Sequence, residues 1–126
     1  MFDIDRSLIV VKPKQPFLDW VQSVHYAEGL TLERVRDDAS AYLIPELWNN
    51  DERPDILEWC YEDVFEAELG SWYTDPAVWP QARDLKMFLE LFDIEFHSGV
   101  CDLVDDPINN LEYLSEDDDE SQSNGA

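Results

Sequence analysis

Glu95, His97 and Cys101 are the residues whose types and spacing most directly suggest covalent chemistry. If the segment from Asp93 onward runs as a regular strand, alternate side chains share a face and these three fall together. A histidine beside a cysteine can take the thiol proton and leave the nucleophilic thiolate. Gly99 lies between them and can shift the register, and a strand histidine also serves as a hydrogen-bonded structural group. Lys12 and Lys14 form a second constellation, two of only eight bases, just before Pro16. Proline suits the first turn of a helix, and a helix N-terminus beside two ammonium groups can take an anion. The alternative is that these lysines neutralise some of the many acids.

A third group is acidic. Glu58, Glu62 and Glu66 stand at successive i+4 positions, with Asp63 beside them. Each like-charge pair costs about 0.2–0.5 kcal/mol in an isolated helix. Such a stack either rides on a well-packed helix or presents negative charge to a partner. Trp48, in an acidic segment, adds an aromatic anchor of the kind found in protein interfaces. Glu62, Asp63 and Glu66 with His97 also offer oxygen and nitrogen to a metal. However, the Glu-x-x-His pairs of carboxylate-bridged helices, the two-histidine spacing of zinc hydrolases and the glycine-bearing EF-hand loop are absent. Four glycines, at 29, 70, 99 and 125, cannot write a P-loop or a dinucleotide fingerprint. There is no G-x-S-x-G elbow. No cofactor or metal is expected.

The elements that must position these groups follow from periodicity. Leu8 to Val11 is a continuous β-branched run, read as a strand buried on both faces. Phe17, Trp20, Val21 and Val24 repeat at helical spacing after Pro16, and Thr31 caps a short helix over 32–38. Residues 41–44 read as a second strand, stopped by Pro45, and 46–52 as a loop. A long helix is capped at Arg53, with Pro54 in its first turn, and ends near Gly70 to Tyr73. Its apolar stripe is Leu57, Tyr61, Val64 and Trp72, and it includes one acid, Glu68. Trp20 and Trp59 are read as helix residues open to a core role. Leu85, Phe88, Leu89 and Phe92 mark a helix over 81–92. Residues 93–97 alternate as a third strand, with Ile94 and Phe96 on one face and Glu95 and His97 on the other. Helical connections favour parallel strands. The expected fold is therefore α/β: a small, mostly parallel three-stranded sheet packed with about four helices. An antiparallel last strand stays open as an alternative. Ile108, Leu111, Tyr113 and Leu114 form a final apolar patch able to dock on the body. Residues 1–114 make one acidic domain, and 115–126 a disordered acidic tail.

The chain has 126 residues, 44% of them hydrophobic, with 30 acids, 8 bases and a formal charge of −22. Only Glu116, Asp117, Asp118, Asp119 and Glu120 belong to the tail. The domain before it keeps 25 acids against 8 bases, a formal −17. That charge disfavours nucleic acid and anionic membrane as direct partners and favours a basic protein surface. Two isolated cysteines, Cys60 and Cys101, read as reduced, buried thiols in a cytoplasm. The N-terminus has charges on both sides of a run of four apolar residues, which is neither a signal nor a transit peptide. No stretch approaches the length of a membrane span.

The segments RSLIVVKPKQPFLDW (residues 6–20) and LKMFLELFDIEFHS (85–98) resemble a group of small acidic bacterial proteins of uncharacterised function. The resemblance implies a bacterial cytosolic protein and supplies no activity. Separately, the order of elements is similar to that of barstar-like inhibitors, acidic α/β proteins that block a basic nuclease. The leading expectation is a non-enzymatic interaction protein that binds a basic partner through Glu58, Glu62, Asp63, Glu66 and Trp48, as an inhibitor, an antitoxin or a nucleic-acid mimic. One alternative is a small enzyme with its site at the strand ends around His97, Cys101 and Lys12. The other is a domain whose charge serves only solubility.

Overall fold

The computed structural model describes residues 1–111. In chain order these form β1 (Phe2–Asp3), β2 (Arg6–Pro13), α1 (Gln15–Val24), α2 (Leu32–Asp37), β3 (Ser40–Pro45), α3 (Arg53–Trp72), α4 (Leu85–Leu91), β4 (Phe92–His97) and β5 (Cys101–Asp102). Single 3-10 turns cover Asn50–Glu52 and Pro76–Val78. Among these residues no helix is long and apolar enough to cross a membrane. The tail expected at 115–126, and Tyr113 and Leu114 of the last apolar patch, lie outside the described residues. Ile108 and Leu111 of that patch are exposed.

The main sheet has the order β3-β2-β4 and is antiparallel throughout, which corrects the mostly parallel sheet expected from the sequence. The helices explain why. α1 and α2 form an out-and-back pair, so β3 begins at Ser40 beside Val11, at the end of β2 that the chain has just left. The 20 residues of α3 then carry the chain about 30 Å, and β4 starts at Phe92 beside Pro13, at that same end. β3 and β4 therefore run parallel to each other, but β2 lies reversed between them.

Alternation along β2 separates two faces. Ser7, Ile9, Val11 and Pro13 are buried under the helices, while Leu8, Val10 and Lys12 are only partly covered. The expected burial of Leu8–Val11 on both faces is thus corrected: the second face carries no helix layer, and exposed Leu43, Glu95 and His97 share it. Beyond this ladder the register slips. Leu8 faces His97, yet Asp3 faces Cys101, and the Ile4 amide donates to the Val100 carbonyl at 3.1 Å. Three residues, Asp5 to Ser7, therefore run opposite two, Ser98 and Gly99, which makes a bulge. The extra residue belongs to the N-terminal strand, opposite Gly99.

Two helix starts also differ from expectation. Arg53 is helical (φ −58°, ψ −46°) although Pro54 follows it. The start is organised upstream by Asn49 and Glu52, whose side chains cap each other's backbone. Glu52 Oε1 accepts from the Trp48 and Asn49 amides at 2.7 and 2.9 Å. α4 begins at Leu85 rather than 81, because the Asp84 carboxylate accepts from the Met87 amide at 2.8 Å and fixes the N-cap there.

The core lies between the sheet and α1, α3 and α4. Phe17, Phe65, Phe88 and Phe92 are at most 1% exposed and meet with ring centroids 4.8–5.9 Å apart. The segment after α3 is held to α1 by polar tips of aromatic rings. Tyr73 donates to the Val21 carbonyl, Trp20 to Val78 and Trp79 to Tyr73, at 2.7, 3.0 and 2.7 Å.

Ser7 is fully buried, donates to the Ser98 carbonyl at 3.0 Å and accepts from the Leu47 amide at 2.8 Å. It ties the bulge to the segment that leaves β3. Replacing Ser7 with alanine strands the Leu47 amide without its acceptor. The expected loss is about 1–3 kcal/mol in urea unfolding. An unchanged midpoint would show that Ser7 does not hold this corner.

Candidate functional site

The outer side of α3 is set by helical geometry. Cys60, Val64, Phe65, Glu68 and Leu69 turn inward, which leaves Asp55, Glu58, Trp59, Glu62, Asp63 and Glu66 exposed on the opposite side. Glu58, Glu62, Asp63 and Glu66 thus share the surface expected from the sequence. Trp59 was read as a candidate core residue, but it stands in the middle of these acids and is 66% exposed. Trp48 is 79% exposed on the turn leading into α3. The ion pairs among the described residues engage Asp5, Asp93 and Glu95 and none of the α3 acids. Glu62 and Glu66 do face Arg83 and Gln81 across a hollow of about 240 Å³. Arg83 itself lies 5.6 Å over the Trp79 ring and donates to the Pro80 carbonyl at 2.8 Å. Partial burial, then the charges of Glu62 and Glu58, push the Tyr61 phenol up.

The other predicted groups are dispersed. Lys12 pairs with Glu95 at 2.8 Å on the open face of the sheet, and this contact holds the Glu95 carboxyl below its ordinary range. Lys14, at the N-cap of α1, donates instead to the Leu89 carbonyl at 3.2 Å. His97 Nε2 lies 3.6 Å from Glu95. Cys101 is exposed, not buried as expected, and has a different partner beyond the bulge: its thiol donates to Asp3 Oδ1 at 3.1 Å. That hydrogen bond, with some burial and the charge of Asp3, pushes the exposed thiol up. This opposes the thiolate that a nucleophile requires. Cys60 is buried, and its thiol is also pushed up, chiefly by burial. Among the described residues no group of three or more His, Cys, Asp or Glu stands together as a metal site.

A cleft of about 470 Å³ opens between α2, the start of β3 and the last turns of α3. Glu68 lines it and is only 7% exposed. It accepts a hydrogen bond from the Tyr42 hydroxyl at 2.5 Å and another from Ser40. Burial nevertheless pushes its carboxyl above the ordinary range. The sequence carried a signal for this group, a lone acid in the apolar stripe of the long helix, but not its partners on β3.

No protein-family model, curated protein or solved structure matches this chain.

Two measurements test these environments. Replacing Asp3 with asparagine removes the charge that suppresses the Cys101 thiolate, so alkylation near neutral pH should accelerate at Cys101 and not at Cys60. Equal rates in the variant and the parent would dismiss the role of Asp3. For Glu68, the folded state holds the proton more tightly than the unfolded state. Its contribution to stability is full below the ordinary glutamate range and is lost as pH rises through the raised folded value. Glu68→Gln should therefore gain stability relative to the parent as pH rises through that window, read by thermal melts across pH. Parallel curves would refute the burial effect.

Proposed function

We propose that this chain is a non-enzymatic interaction protein that engages a basic protein partner through the outer side of α3. The partner is either an enzyme that it inhibits or a nucleic-acid-binding protein whose ligand it imitates. The observation that carries this reading is Trp59, two-thirds exposed and ringed by Asp55, Glu58, Glu62, Asp63 and Glu66. Water does not favour an exposed indole, whereas an interface does: tryptophan is among the residues that contribute most when covered. Acids around it steer a basic surface toward it and set its orientation. Trp48, on the turn before the helix, is a second exposed indole near the start of α3. A domain charge of −17 speeds encounter with cations and repels anionic membrane and nucleic acid. The two free cysteines support a reducing, cytoplasmic setting.

The test has two stages. Immobilised chain is exposed to lysate at low and high salt, and a retained basic protein is purified and titrated against variants. Screening over about 10 Å or less at physiological ionic strength should weaken retention as salt rises. Trp59→Ala should leave stability within about 0.5 kcal/mol of the parent and weaken the complex by about tenfold or more. Glu62→Lys should weaken the complex; in the free chain its two i+4 contacts with Glu58 and Glu66 turn attractive, set against a new cation facing Arg83. The reading is abandoned if no basic protein is retained at low salt, or if the purified one is indifferent to both substitutions.

A further inference from the structure

The cleft at Glu68 is electrically unbalanced. Glu68 is more than nine-tenths buried, and the groups that hydrogen-bond to it, Tyr42 and Ser40, are neutral hydroxyls. Among the described residues no ion pair reaches it. A carboxylate offers about four acceptor positions, so two hydroxyls leave part of its capacity unused. Leu30, Val35 and the Trp72 ring supply the apolar walls. Two charged residues, Arg34 and Asp38, join the lining from α2 and have opposite signs. The Arg34 guanidinium donates to the Gly29 carbonyl at 3.3 Å.

We propose that this cleft is a binding site for a small organic cation, an alkylguanidinium or alkylammonium. The charged head pairs with Glu68 and the short stem lies against Leu30, Val35 and Trp72. A buried carboxylate is costly when it lacks a counter-charge, and a cation with its own N–H donors supplies both charge and hydrogen bonds. Trp72 adds an aromatic wall, a surface that attracts cations. The volume, about 470 Å³, lies in the range of small-molecule sites, roughly 300–1,000 Å³. The negative body concentrates cations at the mouth and repels anions. A cation selects ionised Glu68, so its affinity should rise with pH until the raised value of Glu68 in the free chain is passed, then level off. The polar and charged groups around Glu68 are Tyr42 and Ser40 from β3, Ser71 from α3, and Arg34 and Asp38 from α2.

The test titrates n-butylguanidinium into the full chain near neutral pH and follows the Trp72 indole resonance by NMR. A saturable shift is expected. Glu68→Gln, which keeps the shape and can still accept from Tyr42, should weaken it by about tenfold or more. Ser71→Phe, which fills the cleft from an exposed position, should abolish the shift without touching the Glu68 carboxylate. n-Butylurea, uncharged and of similar shape, should leave the resonance still, and Glu90→Gln, at an exposed acid of α4 outside the cleft, should leave the titration unchanged. The proposal is overturned by a non-saturating response, by equal binding to Glu68→Gln or Ser71→Phe, by an equal response to the urea, or by a loss in Glu90→Gln as large as in Glu68→Gln.

Discussion

The fold depends on four phenylalanine rings. Phe17 comes from α1, Phe65 from α3, Phe88 from α4 and Phe92 from β4, so one cluster joins α1, α3 and the contiguous α4–β4 segment, three stretches far apart in sequence. Burying one such side chain contributes about 1.5–3 kcal/mol. The Glu58–Glu62 and Glu62–Glu66 repulsions cost about 0.2–0.5 kcal/mol each. Phe65 alone therefore outweighs the acid stack on its own helix. This is how α3 keeps a surface that an isolated peptide would resist: the inner side fixes the helix, and the outer side is released from any need to favour it.

Two polar groups enter this apolar frame, and they differ in how they are satisfied. Ser7 gives its proton to Ser98 and receives the Leu47 amide, and its hydroxyl is neutral. Its burial is compensated locally, and it serves the chain's geometry by fixing the bulge. Glu68 is a potential charge in the same frame, with hydroxyl donors alone. Hydrogen bonds lower its pKa and burial raises it, and burial is the larger effect. A well-packed hydrophobic residue at position 68 would serve the core at least as well, so core packing alone does not account for the acid.

Much of this architecture was legible in the sequence, because it rests on local periodicity. The faces of β4 follow from strict alternation and α3 from helical spacing, whereas on α4 the spacing holds for Leu85 and Phe88 but Leu89 is 39% exposed, Leu91 is buried instead and Phe92 already belongs to β4. What stayed hidden rests on tertiary geometry. Two helices in series reverse a chain as readily as one carries it across, so the strand sense is not written in the residues of α1 and α2. The extra residue at Asp5–Ser7 is invisible until its partner strand is placed. Trp59 falls by helical spacing among the acids, opposite Leu57, Tyr61 and Val64, so its outward position was legible; residue type alone suggested a core role. Glu68 was visible as an acid on the wrong side of a helix. Its environment was not, because Tyr42 and Ser40 reach it from a different element.

The distribution of the few bases gives the molecule a direction. Lys12 and Arg36 pair with Glu95 and Asp93, and His97 stands beside Glu95, all around β4. Arg53 lies 5.0 Å over the Phe96 ring and Arg83 over Trp79, so both guanidinium groups rest on aromatic faces. The sheet side thus answers its acids pair by pair, while the outer side of α3 has none of the ion pairs found among the described residues. An approaching cation therefore meets paired acids around β4 and, on the outer side of α3, acids outside those ion pairs, two of which face Arg83 across a hollow. Net charge alone would give solubility in any arrangement. Placing five acids outside those ion pairs on one helix, around an exposed indole, also gives orientation, and orientation is what solubility has no use for.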